Sequence, residues 1–427
     1  MKLTAFLAFS LLTFSAPLFG AERASSAPIL KPGDLVAICG DSITEQKRYS
    51  VYMASYLLAC APQADLRTME LGQGGENTFG FSTRMVTEVL PFKPNVVTTC
   101  YGMNDGGYCA LKPETEARFR EGVQLMIAKF QNAGVRRIVL GSPGAVDTDT
   151  FKRMTATPEI YNQTLGELTR IAREIAEKNG VDFVDIHSLM LVAMAKAKAK
   201  YGKGYYVAGE DGVHASENGQ FIMAYAFLKA LGFPGDIGTI TYDAKADTAQ
   251  TVGEHQVISV TKGVIEVEST RYPFCFFGEP SNPNATSGMI EFLPFNEELN
   301  RYLLVVKNAP AARMKVTWGT QSREFSADAL AKGINLAAEF IENPFCEPFR
   351  RLTAALGMQQ GVESQSIRPH LRLLLDWETN YPEAFKEKPE VFSWQREAVM
   401  KRASAMIEAS RKAVTPVRHT LKIEPAS

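Results

Sequence analysis

The sequence predicts an α/β protein: a parallel sheet with helices on both faces, followed by a β-rich segment and C-terminal helices. Three observations predict it. From Asp34 to about Phe233, short apolar runs alternate with amphipathic stretches of helical length, and strands separated in this way pair in parallel. After Gly232-Phe233-Pro234-Gly235 the helical period gives way to short β-prone runs divided by turn residues. From Ser326 onward the helical period returns.

In the first region, Leu35 to Cys39, Asn95 to Cys100, Arg137 to Gly141 and Val181 to Asp185 read as strands, with Leu66 to Leu71 a weaker one. The helical patterns are Tyr49 to Ala59, Thr83 to Leu90, Glu114 to Ala133, Pro158 to Asn179, Ser188 to Lys200 and Glu217 to Leu231. Right-handed crossovers bring the strand C-terminal ends to one edge, where open sheets of this kind bind ligands. In the β-rich region the runs are Gln256 to Val260, Val264 to Val267, Met289 to Leu293, Tyr302 to Val306 and Met314 to Trp318. The late helices are Asn335 to Ile341, Pro348 to Leu356, Leu371 to Trp377 and Phe392 to Ala413. The expected units are therefore 30–235, 236–325 and 326–427, the last two packing against the first or covering one side of its cleft. Trp318, Trp377 and Trp394 read as buried core, with stacking on sugar rings as the alternative.

Residues 1–21 read as an export signal: Lys2 supplies the positive flank, Leu3 to Phe19 is uncharged and mostly apolar, and Gly20-Ala21 is a small-residue cleavage site. An uncleaved anchor is the alternative. Cleavage predicts a periplasmic or extracellular protein without stable membrane insertion. Lys plus Arg number 46 against 47 Asp plus Glu, which argues against a nucleic-acid partner. Six cysteines suit an oxidising compartment but show no framework spacing. Cys100 with Cys109, or Cys275 with Cys346, could bridge; otherwise all are free thiols behaving as small hydrophobes.

The first strand runs into Gly40-Asp41-Ser42-Ile43-Thr44-Glu45, which sets the Ser42 hydroxyl at the sheet edge. Hydrolysing an ester needs a nucleophile, a base and donors for the oxyanion. Asp211 and His214 are three residues apart, so one helical turn would put both side chains on one side, the imidazole facing Ser42 as base and Asp211 orienting it. Gly72-Gln73-Gly74-Gly75 offers a close-approaching backbone N–H at Gly75, and Asn104 in Gly102-Met103-Asn104-Asp105 offers an amide. No Lys-Ser/Thr follows the glycines, against a phosphate loop. There is no Gly-x-Ser-x-Gly elbow, and no His-x-x-x-His or Cys-x-x-Cys spacing for a metal. The other histidines, His187, His255, His370 and His419, are weaker base candidates.

These four blocks, in this order, resemble the SGNH subgroup of the GDSL serine hydrolases over about Pro32 to Phe233. The resemblance implies a flavodoxin-like three-layer domain. It implies Ser42 as nucleophile with Asp211 and His214 completing a triad, and Ser42, Gly75 and Asn104 as oxyanion donors. It implies no cofactor and no metal. Two departures stand out: Ile43 replaces the family's Leu, and Gly74 stands where many members carry Ser, which makes Gly74 the neighbouring candidate donor. The expected activity is hydrolysis of a small-molecule or glycan ester, favouring an O-acetyl group on a carbohydrate, because export is combined with an appended β-rich segment. The alternatives are a lysophospholipase or thioesterase, an acetyltransferase using the same triad, and a catalytically silent glycan-binding protein. Oligomeric state is not readable from the chain.

Overall fold

The computed structural model describes residues 30–61 and 65–426; the expected signal segment, 1–21, lies outside them. The N-terminal region is built on five parallel strands, β1 (Leu35–Gly40), β2 (Arg67–Gly72), β3 (Val96–Cys100), β4 (Arg137–Gly141) and β5 (Asp182–Val184), in the spatial order β2-β1-β3-β4-β5. Every residue of β1 and β3 is buried, as expected for central strands covered on both faces. Side chains alternate between two cores. Val36 and Ile38 face one with Tyr49, Tyr56 and Phe221, while Leu35, Ala37 and Cys39 face the other with Phe81, Phe119 and Phe130. The first side is covered by α2 (Tyr49–Ser55), α6 (Ile186–Tyr201) and α7 (Glu217–Ala230), the second by α3 (Thr78–Glu88), α4 (Pro113–Asn132) and α5 (Pro158–Asn179). A one-turn helix, α1 (Ser42–Glu45), follows β1 directly. This is the expected three-layer α/β fold. Strand order reverses beside β1, and the crevice above that point is where such sheets take ligands.

Residues 236–326, with two strands from further along the chain, form a β-sandwich of two sheets. One has the order β13-β10-β6-β7, from β6 (Asp236–Asp243), β7 (Thr248–Gly253), β10 (Arg301–Lys307) and β13 (Ile334–Asn335). The other has the order β12-β11-β14-β9-β8, from β8 (His255–Thr261), β9 (Val264–Ser269), β11 (Arg313–Trp318), β12 (Gln321–Ser326) and β14 (Val417–Pro425). Apolar side chains from both inner faces, among them Ile240, Leu304, Val316, Trp318 and Leu421, fill the space between them. The runs read from the sequence lack β6, β7 and β12, and the expectation differs at two further places. Met289 to Leu293 is not a strand: Leu293 N–H bonds back to the Met289 carbonyl and Met289 N–H to that of Thr286, closing local turns. The region 326–427 is not helical to its end, since β14 alternates buried and exposed residues and pairs on both sides, with β9 and β11.

Between β13 and β14 the chain runs through the helices Cys346–Val362, Arg368–Asn380 and Pro389–Arg411. They pack beside β2, the edge strand of the parallel sheet, and beside α2 and α3. An open strand edge leaves backbone groups unpaired, and here side chains satisfy them. Gln359 Nε2 donates to the Thr68 carbonyl at 2.8 Å, and Glu363 Oε2 accepts the Glu70 N–H at 2.8 Å. Of the three tryptophans, Trp318 is fully buried as expected. Trp377 and Trp394 are not: they are 40% and 67% exposed and line a groove with Leu373 and Phe392, sharing no residue with the cavity beside Asn104. All six cysteines are free thiols.

Candidate active site

The β1 strand delivers Ser42 to the C-terminal edge of the sheet. Asp41 caps the N-terminus of α1, its Oδ1 accepting the Ile43 N–H at 2.9 Å. Burial pushes the Asp41 carboxyl up to about 7, against the bond from Ile43 and with the nearby Asp105 adding to it. The strand must also come close to α1 and its neighbour. A Cβ on Gly72 would sit 2.5 Å from the Glu45 nitrogen, so only glycine lets the end of β2 pass α1.

His214 and Asp211 lie in the loop before α7. Asp147 holds that loop from beneath. Its Oδ2 accepts the Val207 N–H at 2.9 Å, its N–H donates to the Gly212 carbonyl at 2.9 Å, and Lys198 Nζ lies 2.6 Å from its Oδ1. The Asp-x-x-His spacing works through a turn, not the helical turn expected from the sequence. Asp211 Oδ1 accepts the N–H groups of Val213 and His214 at 3.0 and 2.9 Å, leaving Oδ2 for His214 Nδ1 at 2.6 Å. Partial burial works to raise the Asp211 carboxyl, but the bonds from the His214 N–H, its ring and the Val213 N–H outweigh it and hold the group below its usual range. An ionised Asp211 can only accept, so Nδ1 carries the ring proton and Nε2 is free to accept. Nε2 stands 2.8 Å from Ser42 Oγ. Both side chains remain open to solvent, 33% for His214 and 46% for Asp211.

The two glycine candidates differ in backbone conformation. A Cβ on Gly74 would meet Glu45 Oε2 at 2.8 Å, whereas Gly75, at φ +71°, has nothing within 4 Å of that direction. The N–H groups of Ser42, Gly74 and Gly75 meet no backbone or side-chain acceptor among the described residues, so both glycines keep a free donor. Asn104 Nδ2 donates one hydrogen to the Glu76 carbonyl at 3.0 Å and keeps the other, while its Oδ1 accepts from the Tyr108 hydroxyl at 3.2 Å. The structure thus brings Ser42, Asp211 and His214 into one hydrogen-bonded chain and ties Asn104 to the Gly75 loop. The other histidines bond elsewhere: His187 to the Gly144 carbonyl, His370 to the Ser366 carbonyl, His255 and His419 inside the sandwich.

Several supporting residues carry no sequence signal. Glu76 is the main one, buried and bonded to Arg84 at 2.7 and 2.8 Å and to the Tyr101 hydroxyl at 2.8 Å. Asp147 and Tyr108 are others. Each is an ordinary residue until the fold supplies its partner. Beside Asn104 lies a cavity of about 250 Å³ lined by Asn77, Asp105, Glu114, Thr115, Arg118 and Phe119. Among the described residues no group of three or more His, Cys, Asp or Glu could hold a metal ion.

A hydroxyl, an oriented imidazole and free donors at the edge of a parallel sheet define the serine hydrolase class chemically. Comparison with known proteins gives the family: residues 38–221 match the GDSL-like Lipase/Acylhydrolase family and form a domain of that type. Over 222 residues the chain is 24% identical to the acetylxylan esterase of Geobacillus stearothermophilus, covering 47% of this chain and 95% of that one. A solved structure of a gut microbial diltiazem-metabolizing enzyme superposes with a TM-score of 0.71 at 22% identity, over 93% of this chain and 98% of the other, so its architecture extends through the sandwich and late helices. The protein is an ester-hydrolysing enzyme of the SGNH type.

Proposed function

We propose that the enzyme is an exported esterase that removes O-acetyl groups from a carbohydrate through Ser42, His214 and Asp211. The observation that carries the mechanism is the unbroken chain Ser42 Oγ, His214 Nε2, His214 Nδ1, Asp211 Oδ2, at 2.8 and 2.6 Å. His214 Nε2 takes the Ser42 proton as Oγ attacks the acetyl carbonyl. Negative charge develops on the carbonyl oxygen, where the N–H groups of Ser42 and Gly75 and the Asn104 amide meet it. The tetrahedral species collapses as His214 returns the proton to the departing sugar oxygen. Water, activated by His214, then cleaves the acetyl-serine and restores the free hydroxyl.

Two features support the substrate class. The cavity beside Asn104 is lined mainly by polar and charged side chains, which suits a hydroxyl-bearing leaving group better than a long acyl chain. The relative from Geobacillus stearothermophilus is an acetylxylan esterase. Export rests on the N-terminal segment of the sequence.

The test is turnover of p-nitrophenyl esters of increasing acyl length, and of acetylated xylo-oligosaccharides, by wild type and Ser42→Ala. The expected result is release of acetate from both acetyl substrates by wild type, a steep loss beyond short acyl groups, and none by the variant. A folded, active Ser42→Ala sinks the mechanism. A preference for long acyl chains sinks the substrate class.

A further inference from the structure

We infer that Arg368 and Arg372, on the helix Arg368–Asn380, are positioning residues for the oxyanion loop Gly72–Glu76, so that the C-terminal half takes part in catalysis by shaping that loop. The inference rests on the reading of Gly75 as an oxyanion donor.

The loop leaves β2, and β2 is the edge strand of its sheet. On its inner side the sheet supplies a partner, for Gln73 N–H donates to the Gly40 carbonyl at 2.9 Å. No neighbouring strand stands on the outer side. There Arg368 Nη1 donates to the Gly72 carbonyl, and Arg372 Nη2 donates to Gln73 Oε1 at 2.6 Å. Arg372 is braced in turn by Glu88, Nε to Oε1 at 2.8 Å. The Gly72 N–H is taken by Glu70 Oε1 at 2.6 Å, and Glu363 Oε2 takes the Glu70 N–H, 293 residues away in sequence. Both backbone polar groups of Gly72 are therefore held by side chains, three residues before Gly75. Downstream, Arg84 and Tyr101 hold Glu76, whose carbonyl receives the Asn104 amide. The loop carrying one proposed donor is clamped at both ends, and its downstream clamp is shared with another.

This cluster is poorly suited to stability alone. Arg368, Glu70 and Glu363 are almost completely buried, and neither Arg368 Nε nor Glu70 Oε2 has a hydrogen-bond partner among the described residues. Burial, only partly offset by Arg368, pushes the carboxyl of Glu70 up to about 7. Burial likewise raises Glu363, to about 8, despite a bond from Gln359. Well-packed apolar side chains commonly match or exceed the stability of such buried charged groups. What the guanidinium supplies and an apolar side chain cannot is a directed donor on the Gly72 carbonyl. A displacement of about 1 Å in a catalytic group can cost on the order of 100-fold in rate, so the constraint has a kinetic consequence.

The test compares Arg368→Met, Arg368→Lys, Arg372→Ala and Leu371→Ala, with Ser42→Ala alongside, by steady-state turnover of p-nitrophenyl acetate and thermal unfolding. Leu371 is buried in the apolar core on the same helix and carries no side-chain donor or acceptor. Arg368→Met is expected to lower kcat by roughly 10- to 50-fold with KM within about twofold, a part of what losing one oxyanion donor costs. Arg368→Lys recovers much of it, because an ammonium still donates. Arg372→Ala, whose side chain is half exposed, lowers kcat by about threefold with little change in melting temperature. Leu371→Ala lowers the melting temperature and leaves kcat unchanged. If Arg368→Met does not fold, the Arg372→Ala result decides. Folded Arg368→Met and Arg372→Ala with wild-type kcat, beside an inactive Ser42→Ala, overturn this inference alone. Equal loss of kcat in Leu371→Ala and Arg368→Met also overturns it. An active Ser42→Ala overturns the underlying mechanism instead.

Discussion

Among the described residues, serine hydroxyls meet histidine rings in two hydrogen-bonded chains. At the sheet edge Ser42 faces His214 at 2.8 Å. Inside the sandwich Ser269 Oγ lies 2.8 Å from His255 Nδ1 and 3.0 Å from His419 Nε2. The second chain is closed at both ends, Trp318 Nε1 donating to His419 Nδ1 at 3.1 Å and His255 Nε2 bonding the Ile237 carbonyl at 3.0 Å. Every nitrogen has a neutral partner, so protons can be assigned along it without a charge. Burial, helped by the facing imidazole of His255, pushes His419 down to about 3. In the first chain an exposed carboxylate backs the imidazole, and unpaired N–H groups stand beside the hydroxyl. A serine–histidine contact is thus common to scaffold and chemistry; the carboxylate, the solvent access and the free donors separate them.

The largest expected contrast is between the serines. Ser42→Ala should lower kcat/KM by about 10⁴-fold or more with the melting temperature preserved. Ser269→Ala should leave kcat within about twofold while costing about 1–3 kcal/mol of stability, since the buried His255 Nδ1 loses its partner and His419 Nε2 keeps only the Tyr302 hydroxyl. Parallel kinetics and urea titration of the two variants check this, and loss of activity in folded Ser269→Ala would break the comparison. Next comes Asn104→Ala, expected to lower kcat by roughly 10²–10³-fold if its amide meets the oxyanion. A change confined to KM would count against that role.

The smallest effect concerns acid. An unfolded histidine takes up its proton near pH 6.5, but the buried His419 resists until about pH 3. As pH falls below about 6.5 the unfolded chain binds that proton first, and stability drains away down to about pH 3. Glu70 and Glu363, raised in the fold, act with the opposite sign, losing their stabilising contribution as pH rises through their folded values. They are common to wild type and His419→Gln, so the difference isolates His419. Between pH 7 and pH 4.5 wild type should lose about 2 kcal/mol more than the variant, as read from urea midpoints. Equal losses would show that the imidazole is not held neutral.

The five parallel strands were legible because each is a short apolar run bounded by turns, and Ser42, Gly75, Asn104, Asp211 and His214 were legible as candidates because each follows a strand or opens the last loop. Gly74 and Gly75 differ only in backbone geometry, Gly75 alone being left-handed, and that difference is invisible in the sequence. The helix Thr78–Glu88 begins earlier than its apolar period suggests. Its first turn is held by Asp105, which accepts from the Thr78 N–H and hydroxyl at 3.0 and 2.6 Å, a partner no local pattern reveals. Partners such as Arg368 and Gly72 lie 296 residues apart, and single-sequence periodicity carries no information at that range. The strand Val417–Pro425 does alternate buried with exposed residues, yet it follows the long helix Pro389–Arg411 and falls in the region expected to be helical.

That strand has a consequence for biosynthesis. It sits between β9 and β11, so until residues 417–425 leave the ribosome the sheet is two separate hairpins with bare facing edges. The parallel sheet is in a similar position, since its β2 edge waits for Gln359, Glu363 and Arg368. A chain made from its N-terminus therefore carries three unsealed strand edges, those of β2, β9 and β11, until later segments emerge. Its vulnerable interval is synthesis itself, when stray strands can pair with them, and ends when the final segment closes the sandwich.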